Sequence, residues 1–403
     1  MVYLASGHFW FFVGRGIAMG SGFILTIAFA NLLAPNEYGV YKYILASAGL
    51  ISAFTLGGVN SGLGRALAKG YTNVIRPMTR YSMLWNIPAF AISISVAAYY
   101  LWNGNVQLGL AFIFVGFSMV FSGIGNITKT FFTSTGEFRL ATYFGTVRAI
   151  VPVFLLIVTL LLTQNVLTII LIYFASQVGM NLITYYWSLR YIQPKVGDDF
   201  LPETKRYSVY ISVLGFVQTP VLYLDQFLLW HFLGPVALAT YTIAQGPSKE
   251  LRTLADSVAG MAFPKLARKD AGEHIEARTV QRRTLQLFIA LCLVVFFYIL
   301  AAPILYRTFF PVYLDAVFYS QLIALTVLLQ PRNLADTFLF AHSGIRDRYA
   351  IMVPGSIIRL VLFVALIPPY GILGAIVAAF ITELISTCII FYLYWRFERN
   401  HPA

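Results

Sequence analysis

Arg282-Arg-Thr-Leu-Gln-Leu-Phe-Ile-Ala-Leu-Cys-Leu-Val-Val-Phe-Phe-Tyr-Ile-Leu-Ala-Ala-Pro-Ile-Leu-Tyr-Arg307 places arginines at both ends of 23 residues that carry no charge. As a helix rising 1.5 Å per residue, that run reaches roughly 35 Å, enough to cross the roughly 30 Å hydrocarbon core of a bilayer. Similar runs fill a chain of 403 residues that is 59% hydrophobic and only 11% charged. Their centres fall near Gly20, Gly49, Ala91, Val115, Phe154, Phe174, Val217, Ala244, Val295, Thr326, Leu362 and Ala379. The eighth, with Lys249, Glu250, Arg252 and Asp256, and the tenth, with Arg332 and Asp336, are too polar for hydropathy alone and follow partly from topology. The expected fold is an all-α polytopic membrane protein of about 12 transmembrane helices.

Charge sets the expected orientation, because short connections rich in Lys and Arg stay in the cytoplasm. Arg65, Lys69, Arg76 and Arg80 follow the second span, Lys129 and Arg139 the fourth, and Arg190, Lys195, Lys205 and Arg206 the sixth. Lys265, Arg268, Lys269, Arg278, Arg282 and Arg283 follow the eighth, and Arg346 and Arg348 the tenth, with Arg396 and Arg399 in the tail. The alternate connections hold little beyond Lys42 and Arg307, so both termini are expected in the cytoplasm of a multi-pass inner-membrane protein. Trp10, Trp85, Trp102, Trp187, Trp230 and Trp395 lie near span ends, where indole rings prefer to sit. The formal charge of +12 is then an inward bias toward anionic lipid headgroups, and no nucleic-acid partner is expected.

Several chemistries are excluded by pattern. The chain has no Gly-x-x-x-x-Gly-Lys-Ser/Thr phosphate loop, no Gly-x-Ser-x-Gly elbow and no His-Glu-x-x-His. Cys292 and Cys388 sit far apart inside apolar runs, which indicates neither a disulfide framework nor a metal cluster. The five histidines are dispersed. The first apolar run holds Arg15 and lacks a basic segment before it, so it is expected to stay as an anchor rather than be cleaved. The outward connections are only a few residues long, and the longest connection, Pro264 to Arg283, is a charged bridge between spans eight and nine.

Leu33-Ala34-Pro35, followed by Gly39 and Tyr41, recurs 200 residues later as Leu233-Gly234-Pro235, followed by Ala239 and Tyr241. Two copies in the same orientation suggest parallel halves of six spans each, with lobes over residues 1–195 and 196–403.

Five stretches carry a family resemblance: Leu32 to Tyr41, Leu56 to Arg65, Tyr223 to Gln226, Phe263 to Leu266 and Tyr370 to Ala375. Together they resemble the polysaccharide-biosynthesis flippases of the multidrug, oligosaccharidyl-lipid and polysaccharide exporter superfamily. The resemblance implies two six-helix lobes around a central cavity. It also implies outward movement of lipid-linked oligosaccharide by alternating access, with membrane lipids and other polysaccharide assembly proteins as neighbours.

Charges at bilayer depth cost on the order of 3 kcal/mol each on insertion scales, so they are expected to pair or to face water. The cations are Arg15, Arg148, Lys249, Arg252, Arg332 and Arg359, and the acids Asp225, Glu250, Asp256, Asp336 and Glu383 all lie in the second half. Arg252 with Asp256, and Arg332 with Asp336, stand four apart and can pair along one helix face. Arg15 and Arg148 have no such acid, and a guanidinium fork suits phosphate oxygens. They are expected to hold the pyrophosphate of a polyprenyl-linked sugar, together with Arg359 if it is not paired with Glu383. Asp225 and Glu383 are the candidates for proton or sodium coupling; no other cofactor is expected. The competing readings are a cation-coupled multidrug exporter of the same fold, whose cavity should favour acids, and a membrane-embedded glycan polymerase or ligase, for which the outward connections are too short. The expected protein is therefore a transporter and not an enzyme.

Overall fold

A computed structural model describes residues 2–192, 200–266, 277–342 and 345–400, and its regular structure is entirely helical. The chain divides into two compact units, Met1–Tyr223 and Leu224–Ala403. The central part of the Pro264–Arg283 connection lies outside the described residues.

The first unit contains α1 (Val2–Leu32), α2 (Pro35–Ile51), α3 (Val59–Ala68), α4 (Ile75–Trp85), α5 (Ile87–Trp102), α6 (Val106–Val120), α7 (Ile124–Ser134), α8 (Phe138–Leu162), α9 (Val166–Ser188) and α10 (Leu201–Gln218). Helix α5 packs along α6, and α8 packs along both α1 and α9. Leu56, Leu63, Met78, Ile127, Phe131, Phe132 and Phe144 form a buried core beneath α3, α4, α7 and α8.

Two of these expected spans are interrupted at one level, and Asn86 holds the interruptions. Between α2 and α3 the backbone bends by 57°. Between α6 and α7 it turns through Gly123 at φ 88°, a conformation open to glycine because it lacks a Cβ. Each break frees backbone groups that a helix would otherwise satisfy. Asn86, fully buried between α4 and α5, accepts from the Leu56 N–H at 3.0 Å. Its amide donates to the carbonyls of Met119 at 3.1 Å, Val120 at 3.3 Å and Ser122 at 3.3 Å. One side chain thereby replaces the water that a bilayer interior cannot offer.

Helix α10, expected by span count in the second lobe, packs against α3 and belongs to the first compact unit. The crossing is close because α3 presents Gly58 and Gly62. A Cβ on Gly62 would stand 2.1 Å from Ser208 Oγ, and one on Gly58 2.3 Å from the Ser208 carbonyl. The Gly58 N–H donates to Ser212 Oγ at 2.9 Å. At the far end Arg65 pairs with Glu203 at 3.0 Å, and Tyr71 stacks on Phe200 with centroids 4.8 Å apart.

The second unit contains α11 (Leu224–Leu233), α12 (Pro235–Leu266), α13 (Ala277–Phe309), α14 (Ala316–Leu325), α15 (Arg332–His342) and α16 (Ile345–Asn400). Helix α16 is two helices joined at Gly371, which takes φ 57° and ψ −130° after Pro368 and Pro369. Helix α11 packs on α16, and α12 packs on α14 and α15, around Ala255, Leu291, Val295, Ala324 and Val327.

The sequence repeat falls on matching corners. Helix α1 ends at Leu32 and α2 starts at Pro35; α11 ends at Leu233 and α12 starts at Pro235. Proline suits both first turns because its fixed φ fits the helix and its missing donor has no partner there. Tyr41 and Tyr241, equivalent in the repeat, are each only 2% exposed.

Among the described residues six stretches are long and apolar enough to cross a membrane, and a seventh when the bent α2–α3 pair counts as one. The other expected spans lie in interrupted or polar helices. A 3₁₀ turn at Pro220–Leu222 separates α10 from α11, another at Thr326–Leu329 with Gln330 and Pro331 separates α14 from α15, and α12 carries Lys249, Glu250 and Arg252.

Candidate functional site

In the second unit, three guanidinium groups from three helices converge on one carboxylate. Glu383, on the second half of α16, has a side chain only 8% exposed. Arg252 of α12 reaches its Oε1 at 3.3 Å and donates its other Nη to Thr326 Oγ1 at 2.6 Å. Arg332, the first residue of α15, donates to Glu383 Oε2 and to the Glu383 carbonyl. It also donates to Thr387 Oγ1 at 3.1 Å. Arg359, on the first half of α16, approaches Oε1 to 3.9 Å and lies over the Phe363 ring, 5.2 Å from its centroid.

These three arginines are not equivalent. Both threonines are oriented to accept, because the Thr326 hydroxyl donates to the Ile323 carbonyl and the Thr387 hydroxyl to the Glu383 carbonyl. Arg252 and Arg332 therefore keep acceptors besides the carboxylate. Arg359 makes no hydrogen bond among the described residues, and its buried Nε has no partner. A guanidinium carries five N–H donors, so Arg359 holds a full fork unspent. Counted over the ion pairs of the described residues, three guanidiniums share one carboxylate.

Asp225 of α11 is a second, fully enclosed carboxylate, 3% exposed, that makes no ion pair among the described residues but lies within electrostatic reach of Arg359. It accepts from the Tyr241 hydroxyl at 2.7 Å, from the Gln226 N–H at 2.8 Å and from Gln245 at 3.5 Å.

In the first unit, Arg148 of α8 lies against α7 and α9. Its Nη2 donates to Asn126 Oδ1 at 3.0 Å. The guanidinium rests over Gly125, where a Cβ would come within 2.1 Å of Nη1 and 2.2 Å of Asn181 Oδ1. Asn181 Oδ1 is buried without a hydrogen-bond partner. No described carboxylate lies within 4.0 Å of Arg148, which meets neutral amides alone.

Of the residues expected to share a site, the structure brings together Arg359 and Glu383 as an ion pair, sets Asp225 within electrostatic reach of Arg359, and places Arg148 among neutral amides. Arg15 lies in α1, but its side chain is outside the described residues, as is that of Asp256. Arg332 was expected to pair along its helix with Asp336; it reaches Glu383 on another helix. Asp336 is exposed on α15. Arg252 likewise turns to Glu383 and Thr326. Asn126, Asn181, Thr326 and Thr387 were not anticipated, and their signal was faint: polar, uncharged residues within otherwise apolar runs.

All-helical units with several stretches long and apolar enough to cross a membrane mark a polytopic membrane protein. The profile of the family described as "Polysaccharide biosynthesis protein" matches residues 28–318, and the chain belongs to that family. Four of the five motif stretches fall inside the match. A search of curated protein sequences gives no match. Among solved structures, the chain is similar to the lipid II flippase MurJ in an inward closed conformation, with TM-score 0.70 at 11% identity, covering 96% of this chain and 87% of the other. It is also similar to an inward-facing multidrug resistance MATE family transporter of the MOP superfamily, with TM-score 0.62 at 14% identity, covering 95% and 93%. A third is a MOP superfamily transporter from Pyrococcus furiosus described as having a binding pocket of reverse polarity, with TM-score 0.60 at 14% identity and the same coverage. At these identities the likeness establishes the fold.

Proposed function

We propose that the protein is a flippase that carries polyprenyl-pyrophosphate-linked oligosaccharide from the inner to the outer leaflet by alternating access, for assembly of a surface polysaccharide. The observation that carries this reading is Arg359, which makes no hydrogen bond among the described residues, within a group of three guanidiniums that ion-pair with one carboxylate. A partly buried cation with spare donors is costly, and a pyrophosphate diester supplies two charges and the oxygens to receive the fork. Arg148, uncapped by any described carboxylate, offers a second contact to phosphate or to sugar oxygens. Arg15 is assigned the same role on sequence grounds.

This reading takes the two six-span lobes, cytoplasmic termini and transport without catalysis as its frame. Glu383 is committed to arginines, so Asp225, which faces a hydroxyl and an amide, is the carboxylate for proton or sodium coupling.

A second reading rests on that same Asp225: an enclosed acid suits a cation-coupled drug exporter, and the fold is similar to that of a multidrug resistance transporter. Proteoliposomes holding the purified chain separate the two. Outward movement of a fluorescent polyprenyl-pyrophosphate disaccharide, lost in Arg359→Ala, supports the flippase. Movement of a cationic dye with no lipid-linked sugar moved would refute it.

A further inference from the structure

Glu383 spends both carboxylate oxygens on arginine. Oε1 is shared by Arg252 and Arg359, at 3.3 and 3.9 Å, and Oε2 is taken by Arg332. No other acid of the described residues joins the cluster as an ion pair. Without this carboxylate three like charges would face one another in a partly buried site, where screening is weaker than at an open surface. The three contacts are also graded. Arg252 and Arg332 stay anchored by threonine hydroxyls and by the α16 backbone, whereas Arg359 is held by charge and by its ring alone.

We infer that Glu383 is the internal anion that keeps the three guanidiniums assembled between cargoes and limits how tightly a doubly anionic headgroup is held there, so that the cargo can leave. This rests on the pyrophosphate reading of the preceding subsection. A phosphate oxygen that approaches Arg359 breaks no protein hydrogen bond, because Arg359 makes none. As the headgroup settles, it competes with Glu383 for the same positive charge and is repelled by it. Counted over its ion pairs, the cluster has two guanidiniums more than carboxylates while Glu383 stays ionised; a neutral residue at that position raises its positive charge by one, and the doubly anionic headgroup is overbound. A carrier must load at one face and release at the other, so its binding has to stay weak enough to reverse. Glu383 is therefore a positioning residue that tunes affinity without itself contacting the cargo.

The test uses the full chain in nanodiscs for binding and in proteoliposomes for multiple turnover, with a fluorescent polyprenyl-pyrophosphate disaccharide as probe and its monophosphate analogue for comparison. Glu383→Gln is expected to bind the pyrophosphate probe at least about tenfold tighter, which is about 1.4 kcal/mol, and to turn over several-fold more slowly at saturation. The gain for the singly charged analogue should be smaller. Glu383→Asp, which keeps the charge but draws it back by one methylene, should fall between. A brace without this tuning role predicts weaker or unchanged binding in Glu383→Gln, and that result in folded protein overturns the inference. If Glu383→Gln does not elute as a folded monodisperse species, Glu383→Asp decides alone, and binding no tighter than wild type refutes it. Should wild type neither bind nor move either probe, the cargo assignment itself fails and this inference is overturned with it.

Discussion

Asn86→Ala is expected to cost the first unit about 2–4 kcal/mol. The magnitude follows from which groups lose their partners. Leu56 N–H has Asn86 Oδ1 as its partner, and an orphaned buried donor costs about 1–3 kcal/mol. The three carbonyls lose less. Met119 already accepts from the Ser122 N–H at 3.1 Å, so removal of the Asn86 amide strips it of a second bond, while Val120 and Ser122 lose contacts of 3.3 Å. Together these add about 1 kcal/mol or a little more on the same scale. The missing side chain also leaves a small void between α4, α5 and the two breaks, although a polar residue of this size contributes less cavity penalty than a core leucine.

Unfolding of the purified protein by a graded detergent-to-SDS titration, followed by tryptophan fluorescence, gives the free-energy difference. Asn86→Asp sharpens the result, because a carboxylate can still accept from Leu56 but sets negative oxygens against the carbonyls of Met119, Val120 and Ser122. It should be at least as destabilising as alanine. If Asn86→Ala unfolds within about 0.5 kcal/mol of wild type, the breaks in the second and fourth spans draw their hydrogen bonds from elsewhere and Asn86 is not what holds them.

Gly62→Val should separate α3 from α10, since even the first added carbon meets Ser208 Oγ at 2.1 Å; a cysteine pair at Arg65 and Glu203 that crosslinks in the parent should fail to do so in this variant. Glu203→Ala should change stability by under about 1 kcal/mol, because both partners of its salt bridge are 47% exposed and surface pairs contribute little. Arg359→Ala should leave unfolding close to wild type, since Arg359 makes no internal hydrogen bond, while weakening the pyrophosphate probe by at least about tenfold, the 1.4 kcal/mol low end for a hydrogen bond to a charged group. Arg332→Ala should instead lower stability measurably, because it removes the donors that tie α15 to the α16 backbone. Similar losses in both variants would refute the division between an anchoring and an available arginine.

The helical, membrane-spanning character was legible because length and charge patterning act over whole segments, and neither depends on which helices meet. The matching corners at Pro35 and Pro235 were legible for a related reason: a proline after a short turn specifies a local conformation. Boundaries set by packing were not. Nothing in Leu201–Gln218 announces that it docks on α3, because the match lies in Gly58 and Gly62 on one helix fitting Thr204, Ser208 and Ser212 on another. Small residues read alone indicate only close approach to something.

The ion pairs show where local spacing misleads. An Arg and an Asp four apart on an exposed helix stabilise it by a few tenths of a kcal/mol, so that spacing is a preference any better partner can override. For Arg332 the better partner is Glu383, enclosed on another helix, with a backbone carbonyl and Thr387 beside it to accept from Nη1, while Nε stays without a partner. Burial decides the contest, since an unsatisfied guanidinium costs far more inside than a local pairing on the exposed face of α15 contributes. Counting acids per half of the chain was consequently informative about excess charge and uninformative about partners. The five acids of the second half outnumber its four intramembrane cations, yet among the described residues a single carboxylate ion-pairs with three arginines, and Asp225 is bound to a tyrosine and a glutamine. Charge balance along a sequence therefore does not imply charge balance at a site.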